Sequence, residues 1–180
     1  ALTHGKGCKL YDADGNEYLD FLAGIAVNSL GHAHPALVKA ISEQAAKLMH
    51  CSNIYYTDIQ AKAVKEIIET TGFDRVFLAN SGAEANEGAI KLARKYGHQK
   101  NEGKYRIITA VHSFHGRTMM TVTATGQPKY QQGYEPLPAG FDYVPYGDLE
   151  ALREAMDEDV CCVLLEPIQG EGGVHVPSDT

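Results

Sequence analysis

The feature that most constrains the fold is an alternation of short apolar segments and amphipathic ones, which begins near residue 75. Apolar runs of about four to eight residues are typical of buried strands, and the longer segments between them have helical spacing. Such an alternation predicts an α/β domain with a mostly parallel sheet covered on both faces. The predicted strands are RVFLAN, YRIITAV, FDYVPY and VCCVLLEPI, and the predicted helices run from Ser81 to about His98 and over about 148–156.

The amino-terminal segment has a different pattern. Residues 8–21 predict two short strands around a turn at Asp14-Gly15, because a tight hairpin requires positive φ. Pro35 favours the first turn of a helix. One face of this predicted helix is apolar and consists of Leu37, Val38, Ile41, Ala45 and Leu48.

A second helix is predicted from about Asp58 to Thr70. We place a boundary near residue 52, between an amino-terminal segment (1–52) and the first part of a larger α/β domain (53–180). A covered parallel sheet normally needs more strands and helices than follow VCCVLLEPI, so we expect this domain to be incomplete at its carboxyl end. The chain also begins at Ala1 rather than at an initiator methionine, and we expect the sequence to be trimmed.

Composition restricts the partners and the compartment. The 180 residues include 16 basic and 23 acidic side chains, and a formal net charge of −7 argues against nucleic acid as the main partner. Neither a leader nor an apolar run of about 18 residues is present, so we expect no membrane association. The four cysteines match no metal or redox spacing and predict reduced, buried thiols in a cytoplasmic protein; they are Cys8, Cys51, Cys161 and Cys162.

The segment NSGAEAN, residues 80–86, joins a predicted strand to a predicted helix. Backbone N–H groups and the helix dipole make this position a candidate anion site. Ser81 and Glu84 have the spacing of a capping box. A cap without a ligand explains these two residues equally well, but the small residues Gly82 and Ala83 would let a phosphate approach the backbone.

The segment HSFHGR, residues 112–117, follows the predicted strand YRIITAV. Ligand contacts in α/β sheets lie at the carboxyl ends of strands. Phe114 could stack on a flat ring, and Arg117 could bind a carboxylate through two parallel hydrogen bonds. The alternative is a core phenylalanine and a solvated arginine. A metal site is disfavoured, since His112 and His115 have no matching carboxylate or cysteine cluster.

A third polar segment, EPIQGEGG, follows the last predicted strand. Glu166 and Glu171 could orient a polar ligand group or pair with an arginine, or the segment could be an ordinary solvated loop. The signatures of dinucleotide sites, nucleoside-triphosphate sites and hydrolase nucleophile elbows are absent from the sequence.

Taken in order, these segments resemble the class III (ornithine-type) aminotransferases over essentially the whole chain. LYDADGNEYLDF, NSLGHAHP, NSGAEANEGAIKLAR, SFHGRT and LEPIQGEGG carry the resemblance, and PLPAGFDYVPYGDLEAL is most similar to the acetylornithine branch. The resemblance implies a fold-type I pyridoxal-phosphate enzyme, usually a homodimer. It further implies a truncated large domain preceded by the amino-terminal segment of the small domain.

The resemblance also implies roles for individual residues. Ser81, Gly82 and Ala83 would hold the phosphate of pyridoxal 5'-phosphate. Phe114 would stack on its ring and Glu166 would lie beside the ring hydroxyl. The substrate-binding residues would be Arg117 for the α-carboxylate, Glu171 for sorting the two alternating substrates, and Tyr55 or its neighbour Tyr56 as a pocket wall.

Two parts of the family pattern are implied to lie beyond Thr180, namely the aspartate that bonds the pyridine nitrogen and the Schiff-base lysine. We therefore expect no catalytic residue in this chain and no activity from it alone. The parent would be a transaminase of arginine biosynthesis that uses an amino acid and 2-oxoglutarate. A non-catalytic phosphate-binding module and a structural or regulatory dimer partner without a ligand are the alternatives from other classes.

The choice of amino donor depends on Ile25. Ornithine δ-aminotransferases tend to have an aromatic hydroxyl at this position, whereas Ile25 offers no hydrogen bond. An apolar wall suits a donor whose α-amine is acylated, because an unpaired buried ammonium is costly. This favours N-acetylornithine, although Ile25 could simply pack in the core. Free ornithine, succinylornithine and 4-aminobutyrate remain alternative donors.

Overall fold

A computed structural model of the chain describes residues 1–100 and 103–178. Contacts between residues divide the chain into two units, Ala1–Glu66 and Ile67–Thr180. The boundary near residue 52 concerns the domains of the parent protein and remains a prediction. No helix in the described ranges is long and apolar enough to cross a bilayer.

The amino-terminal unit begins with an antiparallel sheet of three strands in the order β1-β2-β3. The predicted hairpin is confirmed, since Tyr11 pairs with Glu17 across a turn in which Gly15 has φ +85°. The first strand was not predicted, because LTHGK has no apolar alternation that would mark it. The three strands are β1 (Leu2–Lys6), β2 (Lys9–Asp12) and β3 (Glu17–Leu19).

The helices of the amino-terminal unit are α1 (Ala23–Ala26) and α2 (Pro35–Ala45), followed by α3 (Asp58–Thr71), which crosses into the second unit. Pro35 occupies the first turn of α2, as predicted. This helix ends before Leu48, which is therefore not part of the helical face predicted for it.

The turn α1 has a left-handed backbone. Gly24 and Ile25 have φ/ψ of 66°/37° and 60°/59°. For a β-branched residue this conformation is rare and costs about 1–2 kcal/mol. Asp20 anchors the turn, because its Oδ1 accepts from the N–H of Ala23 at 2.8 Å and its Oδ2 lies 2.6 Å from Nε2 of His32. The hydrogen bond with His32, and next the bonds from the N–H groups of Ala23 and Leu22, lower the pKa of Asp20 below its ordinary value.

The second unit contains a sheet of three parallel strands in the order β5-β4-β6, which confirms the predicted parallel α/β arrangement. Its central strand, β4, was predicted as YRIITAV. The elements of this unit, after α3, are α4 (Gly82–Lys100), β4 (Arg106–Ala110), α5 (Met119–Ala124), α6 (Pro128–Gln131), β5 (Phe141–Val144), α7 (Leu149–Ala155) and β6 (Val160–Val163).

Helices cover both faces of this sheet. Neighbouring side chains of a strand point to opposite faces, and Ile107 and Ile108 are both completely buried. Ile107 packs with Ile90 of α4 and Ala124 of α5. Ile108 packs on the other face, where the partly buried residues Ala151, Leu152 and Ala155 of α7 cover the cluster.

One predicted strand is wrong, and two helices were not predicted. RVFLAN does not form a strand, since residues 75–80 are not paired into either sheet of the described chain, and Phe77 is 71% exposed. A strand requires a hydrogen-bonding neighbour as well as an apolar sequence. The stretch between HSFHGRT and FDYVPY, for which no helix or strand was predicted, contains the helices α5 and α6.

The cysteines also differ in part from expectation. All four are free, but Cys8 is exposed and the other three are only partly buried. Burial raises the pKa of the Cys161 and Cys162 thiols, which keeps both protonated and unreactive at neutral pH.

Candidate functional site

Three of the predicted segments meet at the carboxyl edge of the parallel sheet. The N–H of Phe114, in the loop after β4, donates to Glu166 after β6 at 3.1 Å. Asn86 of α4 donates through Nδ2 to the carbonyl of His115 at 2.8 Å. The start of α4 and the two loops therefore form one contiguous surface, where α/β proteins bind ligands.

The amino terminus of α4 offers open backbone donors. Ser81 accepts the N–H of Glu84 at 3.2 Å, as predicted for a cap. The capping box is only half formed, because the Glu84 carboxylate accepts from the N–H and Nδ2 of Asn80 at 2.7 and 2.9 Å, rather than from the Ser81 N–H. Within the described residues the N–H groups of Gly82 and Ala83 have no acceptor.

The space around Gly82 is also open. A Cβ built on this glycine meets no heavy atom within 4 Å. Free N–H groups, the positive end of the dipole of a 19-residue helix and room beside the backbone are the properties that a phosphate group requires.

Gly116 brings the loop after β4 close to this helix end. Its φ is +132°, and an added Cβ would lie 2.8 Å from Cβ of Ala83 and 2.6 Å from Oγ1 of Thr121. The N–H of His115, one residue earlier, donates to Thr125 at 2.9 Å. The loop is thus fixed between α4 and α5, and only glycine fits at its point of closest approach.

We expect Gly116→Ala to destabilise the full-length protein by about 2–4 kcal/mol, because it combines backbone strain with overlap. Gly133→Ala is the matched control, since Gly133 has φ +88° but open space around it. The control should cost about 1 kcal/mol. Thermal melting of both variants measures the difference, and equal melting temperatures would contradict the proposed close packing.

The side chain of Phe114 is half-buried and contacts an aromatic ring that the sequence did not indicate. Its ring meets Tyr130 of α6 edge to face, with 5.8 Å between centroids. Edge-to-face contact fixes the orientation of the Phe114 ring. The carboxylate of Glu166 holds the Phe114 backbone at the same time.

Arg117 is exposed and lies over aromatic rings. Its guanidinium carbon is 4.1 Å from the centroid of Tyr130 and 5.6 Å from that of Phe114. In the described part of the chain it forms no ion pair with a carboxylate. Its planar donors therefore remain available to a ligand.

Glu171 belongs to the same cluster. One of its oxygens accepts from Nε2 of Gln127 at 2.6 Å, and the other accepts from the hydroxyl of Tyr130. Lys129 approaches it at 3.8 Å. The hydrogen bond from Gln127, then that from Tyr130, with the nearby charges of Lys129 and Arg117, lowers the pKa of Glu171 below its ordinary value, so this carboxylate is ionised at neutral pH.

The histidines of the segment have no neighbouring ligand residues that would complete a metal site among the described residues. Across residues 1–100 and 103–178, no three His, Cys, Asp or Glu side chains group as metal ligands. His115 is 5% exposed, and desolvation lowers its pKa to about 4. It is therefore a neutral, buried part of the loop at neutral pH.

Ile25 and Tyr55 belong to the amino-terminal unit. Both are exposed, and Ile25 lies in the left-handed turn α1. Their roles in substrate binding remain predictions.

Sequence reasoning missed Gln127 and Tyr130. Gln127 joins two loops, since its Nε2 also donates to the carbonyl of Ser113 at 2.9 Å. Pro128, at the first position of α6, is the signal that could have indicated a helix start there. No local pattern in the sequence marks Tyr130 as a neighbour of Arg117.

Comparison with known proteins agrees with this geometry. The family model Aminotransferase class-III matches residues 1–180. Acetylornithine aminotransferase from Caldanaerobacter subterraneus subsp. tengcongensis is 61% identical over 175 residues, which cover 97% of this chain and 44% of that protein. The succinylornithine transaminase/acetylornithine aminotransferase of Pseudomonas aeruginosa is 53% identical over 173 residues, which cover 96% of this chain and 43% of that protein.

A solved structure shows the same fold. Ornithine aminotransferase from Toxoplasma gondii, with pyridoxal phosphate at partial occupancy in its active site, superposes with a TM-score of 0.94 at 37% identity. The match covers 99% of this chain and 43% of that one. The expected fold-type I architecture is thereby confirmed. The chain spans less than half the length of these relatives, and it belongs to the class III aminotransferase family.

Proposed function

We propose that the parent protein transfers the δ-amino group of N-acetylornithine to 2-oxoglutarate with pyridoxal 5'-phosphate as cofactor. The observation that carries this proposal is the meeting of an open helix end, an aromatic ring and an unpaired arginine at one edge of the sheet. The names of the relatives from C. subterraneus and P. aeruginosa support the acylated donor.

The residues at the helix end fit the cofactor phosphate. Gly82 and Ala83 would donate their free N–H groups, and the open space beside Gly82 would admit the phosphate. Pyridoxal phosphate, when bound, supplies an aldehyde that accepts the amino group and a ring that takes up negative charge from the substrate. Ser81 contributes by capping the helix so that its first turn stays formed.

The other site residues would orient the ring and the substrate. Phe114 would lie against the face of the ring. Glu166 holds the Phe114 backbone and would lie beside the ring hydroxyl. Arg117 would bind the α-carboxylate that donor and acceptor share. Glu171 would present a permanent negative charge near Arg117 and thereby help to distinguish the two substrates.

Gly82→Ala tests the phosphate site separately from folding. The added methyl group meets no protein atom, so the melting temperature of the apoprotein should not fall. It would instead occupy the open space proposed for the phosphate, and we expect the affinity of the full-length apoprotein for pyridoxal phosphate to fall about tenfold. Absorbance titration measures this affinity. Unchanged affinity would exclude Gly82 from the phosphate site.

The remaining implications of the resemblance are also proposals. The Schiff-base lysine and the aspartate would lie beyond Thr180, so the chain alone would bind phosphate without catalysing transamination. The parent would be a cytoplasmic homodimer that acts in arginine biosynthesis.

Succinylornithine is the second candidate donor, because the P. aeruginosa relative bears both names. Steady-state assays of the full-length protein with N-acetylornithine, succinylornithine and ornithine, each with 2-oxoglutarate, distinguish the candidates. Glutamate formation with N-acetylornithine at the highest kcat/KM is the expected result. Absence of glutamate with every donor would overturn the proposed function.

A further inference from the structure

Tyr130 contacts two cations through its ring and a carboxylate through its hydroxyl. The guanidinium carbon of Arg117 and Nζ of Lys129 lie over the ring, 4.1 and 4.6 Å from its centroid. The hydroxyl of Tyr130 donates to the carboxylate of Glu171. Arg117 and Glu171 are near enough for Arg117 to favour the ionised form of Glu171. No ion pair joins them in the part of the chain that the structure describes.

We propose that Tyr130 is a positioning residue that keeps the donors of Arg117 open for the substrate carboxylate. This inference rests on the proposed function. A guanidinium that lies over a ring is attracted by the π-electrons of the ring, and this contact uses none of its N–H donors for a hydrogen-bond acceptor. They therefore remain available for the two parallel hydrogen bonds of a carboxylate.

The hydroxyl of Tyr130 supports this arrangement from the other side. An ionised carboxylate close to an arginine tends to form a bidentate pair with it. Here both oxygens of Glu171 are engaged by other donors, namely the Tyr130 hydroxyl and Nε2 of Gln127. Lys129 adds a positive charge at 3.8 Å. Glu171 thus has less tendency to occupy the donors of Arg117.

The test separates the ring from the hydroxyl. In the full-length protein, Tyr130→Leu and Tyr130→Gln both remove the ring face. We expect each to raise KM for N-acetylornithine and for 2-oxoglutarate by about three- to thirtyfold, the range of cation–π contacts, with a smaller change in kcat. Tyr130→Phe keeps the ring and should therefore raise both KM values clearly less than the two ring-deleting variants do.

Tyr96 provides the matched control. It is an exposed tyrosine on α4 with no bond to Arg117 or Glu171 among the described residues, and Tyr96→Leu should leave both KM values unchanged. The increase in KM caused by Tyr130→Phe should also be smaller in a protein that already carries Glu171→Ala. The two side chains belong to one hydrogen-bond network, and the effects of mutations within one network are not additive.

Melting curves identify any variant that does not fold. If one of the two ring-deleting variants does not fold, the other one is enough to test the role of the ring.

The outcomes are distinguishable. If Tyr130→Phe is impaired as strongly as Tyr130→Leu and Tyr130→Gln, or if the ring-deleting variants keep wild-type KM values, the positioning role is wrong. If the wild-type parent does not use an acylated ornithine at all, the proposed function fails before any variant is compared.

Discussion

Replacement of Arg117 by lysine in the full-length protein is expected to lower kcat/KM by about ten- to a hundredfold. A charged hydrogen bond contributes about 1.5–3 kcal/mol, and lysine keeps the charge but loses the planar fork that lies over the ring of Tyr130. The loss should appear with N-acetylornithine and with 2-oxoglutarate, because both present an α-carboxylate. Single-turnover measurement of the two half-reactions gives each value separately.

Arg153→Lys is the matched control for this substitution. Arg153 is an exposed arginine of α7 that pairs with Glu150 on the same helix, a type of pair worth only a few tenths of a kcal/mol. Replacement of Arg153 should leave the single-turnover kcat/KM of both half-reactions unchanged. A loss confined to one half-reaction of Arg117→Lys would show that Arg117 does not bind the shared carboxylate.

The second large effect concerns the amino donor. We expect the full-length protein to use N-acetylornithine about ten- to a hundredfold more efficiently than free ornithine, because an unpaired ammonium against an apolar wall lacks a charged hydrogen bond. Ile25 is the residue that we propose as the apolar wall beside the α-amine of the donor. Comparison of kcat/KM for the two donors measures the preference, and equal use of free ornithine would contradict the role of Ile25.

The variant Ile25→Tyr tests the wall directly. It supplies the aromatic hydroxyl of the ornithine δ-aminotransferases, and we expect kcat/KM for free ornithine to rise about tenfold. Ile25 has φ +60°, where a β-branched side chain is strained, so the substitution should not destabilise the turn. Ile25→Leu is the control, since it also removes the β-branch but remains apolar. It should retain the preference for the acylated donor.

The sequence by itself determined the features that depend on local chemistry. Gly15 supplies the positive φ of the hairpin, Pro35 begins α2, and Ser81 caps α4. The apolar run YRIITAV likewise marked the central strand of the sheet. These features could be predicted because each results from backbone preferences or periodicity within a few residues. The order of the polar segments was enough to indicate the family.

The tertiary structure decided what depends on residues that are distant along the chain. RVFLAN has the composition of a strand, but a strand needs a hydrogen-bonding neighbour, and residues 75–80 have none within the described chain. Gln127 and Tyr130 reach Glu171 from 44 and 41 residues away. Their contact with the site arises from the packing of α6 beside the carboxyl edge of the sheet. No local pattern encodes such packing, because it depends on how whole elements fit together.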